Sequence, residues 1–509
     1  MRRIYLSLIM LISSIYASAY DIELNGLYYT YINEGKELRF DSCNVSIEAL
    51  VIPDEVTYHD RSRSVTAINE KACQNDSTLI SLAIPNTVKT IGATAFSRTS
   101  ISSLIIPSSV TSIGSFAFSG CKAMASIQFG SGVEKIGEYA FMYCTGLKSV
   151  ILPLNLKTLG HDAFSYCINV ESMDIKSGDI QRLTNCPGIK KLIIGRKVTS
   201  LNVLDDFSKG STKKYLDELR IEDLFSWCNI NLKNPLPLHE VSEGAGPKTA
   251  IFVNDKPITD LTIPEGVTKI SRSIFNNWPI TGVNIPNSVT DIEEAAFANN
   301  HQLSKVVIGA GITSIPKRCF ENSLVSSIMI SPNIRTIGER AFCGNTFPTI
   351  TLPNSLREIS HMAFNSCKLT SITIPNSVKF VGSGAFSECH DMTKAEINCD
   401  TMDVAVFKND KALRNLTIGN SVKCFATTAI DADPIYTKNI NDGQIFAGCP
   451  LSVIISYVEN PFSFPENSFE KDSYYNASLL IPGGVQNRYK STDFWNKFIY
   501  VEGINNKEK

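Results

Sequence analysis

The sequence predicts a mostly β repeat protein of the α/β class: a solenoid of 21–23-residue coils with parallel strands on a concave face and capped ends. Three observations predict it. First, a block of the form Ile-x-Ile-Pro recurs. The residue that closes it falls at Pro85, Pro107, Gly130, Pro153 and Lys176, then at Pro264, Pro286, Gly309, Ser331, Pro353, Pro375, Asn398 and Gly419, at steps of 21 to 23 within each run. Second, another apolar pair follows each block, as in Val110 and Ile113, Ile334 and Ile337, or Val378 and Val381, usually ahead of a glycine. Third, an Ala-Phe pair closes the unit at Ala95-Phe96, Ala117-Phe118, Ala140-Phe141, Ala163-Phe164, Ala296-Phe297, Ala341-Phe342, Ala363-Phe364 and Ala385-Phe386.

A period of this length is that of a leucine-rich-repeat solenoid. In Ile372-Thr373-Ile374 or Leu261-Thr262-Ile263 the outer two side chains face one way and the middle one the other, so the block is a short strand with one buried face. Proline or glycine then turns the chain, the second apolar pair points back inward, and the phenylalanine adds one ring per coil to the core. No coil of this size buries its own apolar face, so the coils must stack strand against strand. Roughly 17 coils at about 4.8 Å each would form a curved rod on the order of 80 Å long.

Taken in order, residues 1–19 read as a secretory signal: Met1-Arg2-Arg3, an apolar run from Ile4 to about Tyr16, then Ala17-Ser18-Ala19. The run is short of the ~20 residues that span a bilayer. No later stretch is long enough, so no transmembrane anchor is expected in the mature chain. Residues 20–49 read as an amino-terminal cap, a β-hairpin turning at Asn25-Gly26. Residues 50–201 form a first array, with Thr57 to Ser64 as a polar insertion. The period fails over 202–260, around Asp205-Asp206, Lys213-Lys214 and a stretch from Pro235 to Pro247. There the sequence fits either an irregular coil within one solenoid or a break between two arrays. Residues 261–430 form a second array, and 431–509 hold degenerate repeats and a carboxy-terminal cap. In that last part, Leu479-Leu480-Ile481-Pro482 reads as the last strand and the aromatic tail Arg488 to Phe498 as helix-like.

These residues resemble the BspA-like leucine-rich-repeat proteins, also called the Treponema pallidum type. The resemblance rests on the unit I-P-x-S-V-x-x-I-G-x-x-A-F-x-x-C, best seen from Ile106 to Cys121 and from Ile374 to Cys389. It rests also on Trp227-Cys228-Asn229-Ile230 leading to Asp260-Leu261-Thr262-Ile263-Pro264, and on Leu480-Ile481-Pro482 followed by Tyr489-Lys490 and Phe494-Trp495. It implies a secreted or surface-held binding protein, with adhesion to host matrix proteins or other cells attributed to some members.

The residues offer little for catalysis. A net charge of −2 gives no reason to expect nucleic acid as a partner. The histidines show no metal or catalytic spacing, and His161 and His361 share one repeat position that reads as solvated surface. Asp431-Ala432-Asp433 lacks the glycine and glutamate of a calcium loop, and Gly130 to Lys135 is a turn rather than a phosphate loop. No metal, cofactor or catalytic group is expected. Of the fourteen cysteines, Cys121, Cys144, Cys167, Cys367 and Cys389 sit three residues after the repeat phenylalanine, where other coils carry Thr99, Asn300 or Ser323. A slot open to those types asks for a small side chain that satisfies backbone groups. A buried thiol ladder is therefore expected, although a bridge such as Cys121 to Cys144 lies within reach.

One surface is left for function, the outward middle residues of the first strands. They are Ala83, Ile105, Gln128, Ile151, Asp174 and Ile193 in the first array, then Thr262, Asn284, Val307, Met329, Thr351, Thr373, Glu396 and Thr417. Thr262, Asn284, Thr351, Thr373 and Thr417, with nearby Lys305 and Lys394, are the candidate partner-binding residues. The expected function is a non-catalytic scaffold for a host or neighbouring-cell protein, an extracellular-matrix protein among them. An extended glycan is the alternative ligand and an enzyme the second.

Overall fold

The computed structural model describes residues 20–43, 47–183, 186–203, 215–238, 249–426 and 444–504. The signal-like stretch, Asp205-Asp206, Lys213-Lys214 and Asp431-Ala432-Asp433 lie outside the described residues. The chain forms two compact units, Met1–Ser226 and Trp227–Lys509, each a mostly β parallel solenoid.

In the first unit, Ile22–Leu24 and Leu27–Ile32 make the antiparallel hairpin, turning at Asn25 (φ 55) and Gly26 (φ 78). A third strand, Glu37–Cys43, runs antiparallel to the second and parallel to Arg61–Ile68, so it joins the hairpin to the coils. Its alternation was readable, because Leu38 and Phe40 are its buried face. The insertion from Thr57 to Ser64 is also a hairpin, Glu55–Tyr58 against Arg61–Ile68, with His59 and Asp60 left-handed at the turn.

Beyond it the coils stack in register. First strands pair as Ser103 with Ser126 through Ile106 with Phe129. Second strands pair as Ile91, Ile113, Ile136 and Leu159 in succession. At Ser172–Leu183 and Lys191–Val203 the two strands of a coil run together into one, with register shifts between them. The anchor is Lys176 in the first of these strands and Gly195 in the second, and at both the chain runs on as strand instead of turning.

In the second unit, first strands Asp260–Thr262, Gly282–Ile285, Lys305–Ile308 and Ser327–Met329 form one parallel sheet. Ser371–Ile374, Lys394–Ile397, Asn415–Ile418, Val453–Ser456, Ser478–Pro482 and Tyr500–Ile504 form another. Leu479–Pro482 is thus not the last strand, since Tyr500–Ile504 pairs beside it. The tail before that strand is only a short helix, Gln486–Ser491, and one 3-10 turn, Trp495–Lys497. It caps by side chains: Tyr489 Oη donates to Val458 O at 2.7 Å and Trp495 Nε1 to Phe462 O at 2.9 Å, with both rings buried.

Each unit has a column of phenylalanines through its core. Phe96, Phe118, Phe141 and Phe164 stack at 5.1–5.4 Å. In the second unit the column runs Phe275, Phe297, Phe320, Phe342, Phe364, Phe386, Phe407, Phe446 and Phe469 at 5.0–5.6 Å. Phe275, Phe320, Phe407 and Phe446 follow Ile, Cys, Val and Ile rather than alanine, so an Ala-Phe search passes them by. Close stacking explains the repeat glycine: a Cβ on Gly382 would sit 2.6 Å from His361 N in the coil before.

A second column runs beside the rings. Cys121 donates to Phe96 O at 3.2 Å, Cys144 to Phe118 O at 3.2 Å, Cys167 to Phe141 O at 3.2 Å, Cys367 to Phe342 O at 3.0 Å and Cys389 to Phe364 O at 3.3 Å. Ser323 Oγ does the same to Phe297 O at 2.7 Å and Asn345 Nδ2 to Phe320 O at 2.8 Å. The slot places a second donor on a buried carbonyl of the coil before, which is why it accepts such different residues. All fourteen cysteines are free thiols, and twelve are buried.

His361 corrects the sequence reading. His161 is exposed as expected, but His361 is 3% exposed. The coil that follows it carries Gly382-Ser383-Gly384, with Ser383 fully buried, so no bulky side chain holds the neighbouring turn away from the ring.

Candidate functional site

Because side chains alternate along a strand and neighbouring coils are in register, the middle residues of each run of paired first strands fall on one line. In the second unit Thr262 lies opposite Asn284, Asn284 opposite Val307 and Val307 opposite Met329. Further along, Thr373 lies opposite Glu396, Glu396 opposite Thr417 and Thr417 opposite Ile455. Neighbouring side chains therefore recur about every 4.8 Å on a fixed backbone. Lys305 and Lys394, two residues before Val307 and Glu396, share that face. Thr262, Asn284, Lys305, Thr351, Thr373 and Lys394 are exposed, and Thr417 is half-buried.

The structure joins six of the seven candidates to the paired strands and sets Thr351 apart. Residues 349–352 form no strand, and among the described residues no backbone hydrogen bond links them to Ser327–Met329. The cause is Pro348. Its counterparts in other coils donate their N–H to the coil before: Ser304 to Thr281 O (2.9 Å), Ser326 to Ser304 O (3.1 Å), Thr370 to Pro348 O (2.9 Å) and Thr393 to Thr370 O (2.8 Å). Proline has no N–H to give. The opened ladder leaves a recess of about 570 Å³ lined by Lys305, Ser327, Met329, Pro332, Pro348, Thr351 and Pro353, among others. Met329 at its edge is 66% exposed. The sequence reading missed this recess, although its signal is one proline where the other coils place a residue with an N–H.

The same line in the first unit is more apolar, with Ile105 65% and Ile151 61% exposed. Asp174 interrupts it, drawn into a pair with Lys176 at 2.9 Å, which also holds Glu222 at 2.7 Å. Among the described residues no three His, Cys, Asp or Glu side chains gather as a metal site would require. Among the described residues no helix is long and apolar enough to cross a membrane.

Six copies of the pattern described as the BspA type leucine rich repeat region match residues 66–187, 248–346 and 313–437, more than half of the sequence. The chain belongs to the BspA-type leucine-rich-repeat family. Among solved structures, a leucine-rich repeat protein from Bacteroides ovatus is 19% identical over 91% of this chain and 100% of its own, with a TM-score of 0.42. A leucine rich cell surface protein from Faecalibacterium prausnitzii is 20% identical over 75% of this chain and 95% of its own, with a TM-score of 0.35. The T. pallidum leucine rich repeat protein is 15% identical over 56% and 86%, with a TM-score of 0.23. No curated protein matches the chain.

Proposed function

We propose that the chain is a non-catalytic scaffold of a cell surface or its surroundings, and that it binds a protein of a host or neighbouring cell across the first-strand face of the second unit. One observation carries this reading: the register that sets Thr262 opposite Asn284 in one sheet, and Thr373 in line with Thr417 through Glu396 in the next, on paired backbone. Side chains fixed in this way lose little ordering entropy on binding. Repeat solenoids use such faces for association, and the family's repeat is consistent with a protein-binding role. Threonine and asparagine supply hydrogen bonds, the two lysines supply charge, and the recess at Met329 accepts an apolar side chain.

A photo-crosslinking residue placed at Thr373 tests this in the full chain, with one at exposed Ser314 on a second strand as control. After exposure to host extracellular-matrix protein, the Thr373 position should give a protease-sensitive adduct and the Ser314 position none. Equal adducts from both, or a carbohydrate adduct that resists protease, would overturn the reading.

A further inference from the structure

The thiols of Cys43 and Cys73 lie 3.9 Å apart, Sγ to Sγ. Cys43 ends the strand Glu37–Cys43 and is half-buried, while Cys73 is buried where later coils carry the stacked phenylalanine. Backbone holds both in place. Phe40 pairs with Ile68, Asn69 N donates to Phe40 O at 2.8 Å, and Cys73 N donates to Ala95 O at 2.7 Å. The ladder thiols of Cys121, Cys144 and Cys167 also point at carbonyls and are wholly buried, even where Cys121 and Cys144 lie against each other. At Cys43 a thiol with a sulfur neighbour is open to solvent. The Cys73 thiol beside it holds Cys43 below the usual thiol range, and the same contact together with burial pushes Cys73 up. The accessible Cys43 sulfur is thereby placed to attack and the buried Cys73 sulfur to resolve.

We propose that Cys43 and Cys73 are a redox pair that closes to a disulfide by exchange with a small-molecule disulfide. The Cys43 thiolate attacks one sulfur of the small disulfide, forming a mixed disulfide and releasing one small thiol. Cys73 then gives up its proton and attacks the Cys43 sulfur, which expels the second small thiol. Two protein thiols lose two electrons and two protons, and one small disulfide is reduced to two thiols. The sulfurs must close by about 2 Å to reach a bond length of about 2.05 Å. The bridge spans 30 residues of sequence and ties the strands of the amino-terminal cap to the first coils, the end of the stack where a solenoid frays.

The test equilibrates the full chain with glutathione and glutathione disulfide at graded ratios, then alkylates and maps peptides by mass spectrometry. The expected product is a cross-linked Cys43–Cys73 peptide lighter by two hydrogens, retained in Cys424→Ser and lost in Cys43→Ser. Cys73→Ser should leave Cys43 as the glutathione adduct. Closure should raise the Tm of the first unit by about 4 °C or more, an effect absent in Cys43→Ser. Because Cys43 is half-exposed, Cys43→Ser leaves the fold intact if the buried Cys73→Ser does not. Wild-type chain that stops at the Cys43 adduct without a cross-link, or keeps both thiols open to alkylation at every ratio, would overturn the proposal.

Discussion

Asp410 sits in the donor slot yet offers no proton when ionised. It is fully buried; its Oδ1 accepts from Cys389 N at 2.8 Å, and its Oδ2 has no hydrogen-bond partner. Asn345 shows what the slot asks for. Its Oδ1 accepts from Val325 N at 2.9 Å, while Nδ2 donates at 2.8 Å to both Phe320 O and Phe342 O. Burial pushes the Asp410 carboxyl well above the usual range, and an amide in its place would donate to the carbonyls of Phe386 and Phe407 as Asn345 does to those of Phe320 and Phe342. Asp410→Asn should therefore stabilise the second unit by about 2 kcal/mol at pH 7, from two hydrogen bonds of about 1 kcal/mol each. The sign with pH follows from linkage. A carboxyl whose folded pKa exceeds its unfolded value of about 3.9 gives its full stability below that value and loses it as pH rises through the folded pKa. The gain from asparagine should thus be largest at neutral pH and narrow toward pH 4. Urea unfolding followed by tryptophan fluorescence reads the second unit selectively, because the chain's three tryptophans, Trp227, Trp278 and Trp495, all lie in it. A lower midpoint at pH 7, or a gain that grows as pH falls, would refute the donor-slot reasoning.

Phe386→Ala removes a ring stacked at 5.1 Å on Phe364 and 5.5 Å on Phe407, and should lower stability by about 3 to 5 kcal/mol in the same assay; a loss under about 1 kcal/mol would contradict a continuous core column. Gly382→Ala should cost about 1 to 3 kcal/mol, since the coils must part to admit a Cβ, and an unchanged midpoint would show the stack to be looser than described. In reducing buffer, thiol labelling of the native chain should be fast at exposed Cys424, slower at half-buried Cys43 and very slow at the twelve buried thiols until denaturant is added; ladder thiols that react as fast as Cys424 would contradict the closed slot.

The repeat architecture could be read from Pro85 to Gly419 because stacking imposes the same demand on every coil, so the signal is written many times over. The candidate face was legible for the same reason: alternation alone orients Thr373, and the period alone sets it opposite Glu396. Features that occur once were harder to read. The continuous strands at Ser172–Leu183 and Lys191–Val203 have no anchor type that announces them, since Ser331 and Asn398 turn the chain while Gly195 does not, and the recess follows from Pro348 alone. His361 misled because its burial is decided by small residues one coil later, Gly382-Ser383-Gly384, which lie far from it in period logic and adjacent in space. Tyr500–Ile504 pairs as the final strand with no repeat after it to announce it.

The most direct measurement of the central claim is the affinity of the full chain for the protein captured through Thr373, compared between two double variants. Thr351→Glu with Thr373→Glu places two charges on the first-strand face, and Thr290→Glu with Ser314→Glu places two on exposed positions of the second-strand side. The first pair should lose at least about tenfold in affinity, about 1.4 kcal/mol, and the second almost none, with both unfolding at the wild-type midpoint. Equal losses from the two pairs, or no loss from the first, would contradict it.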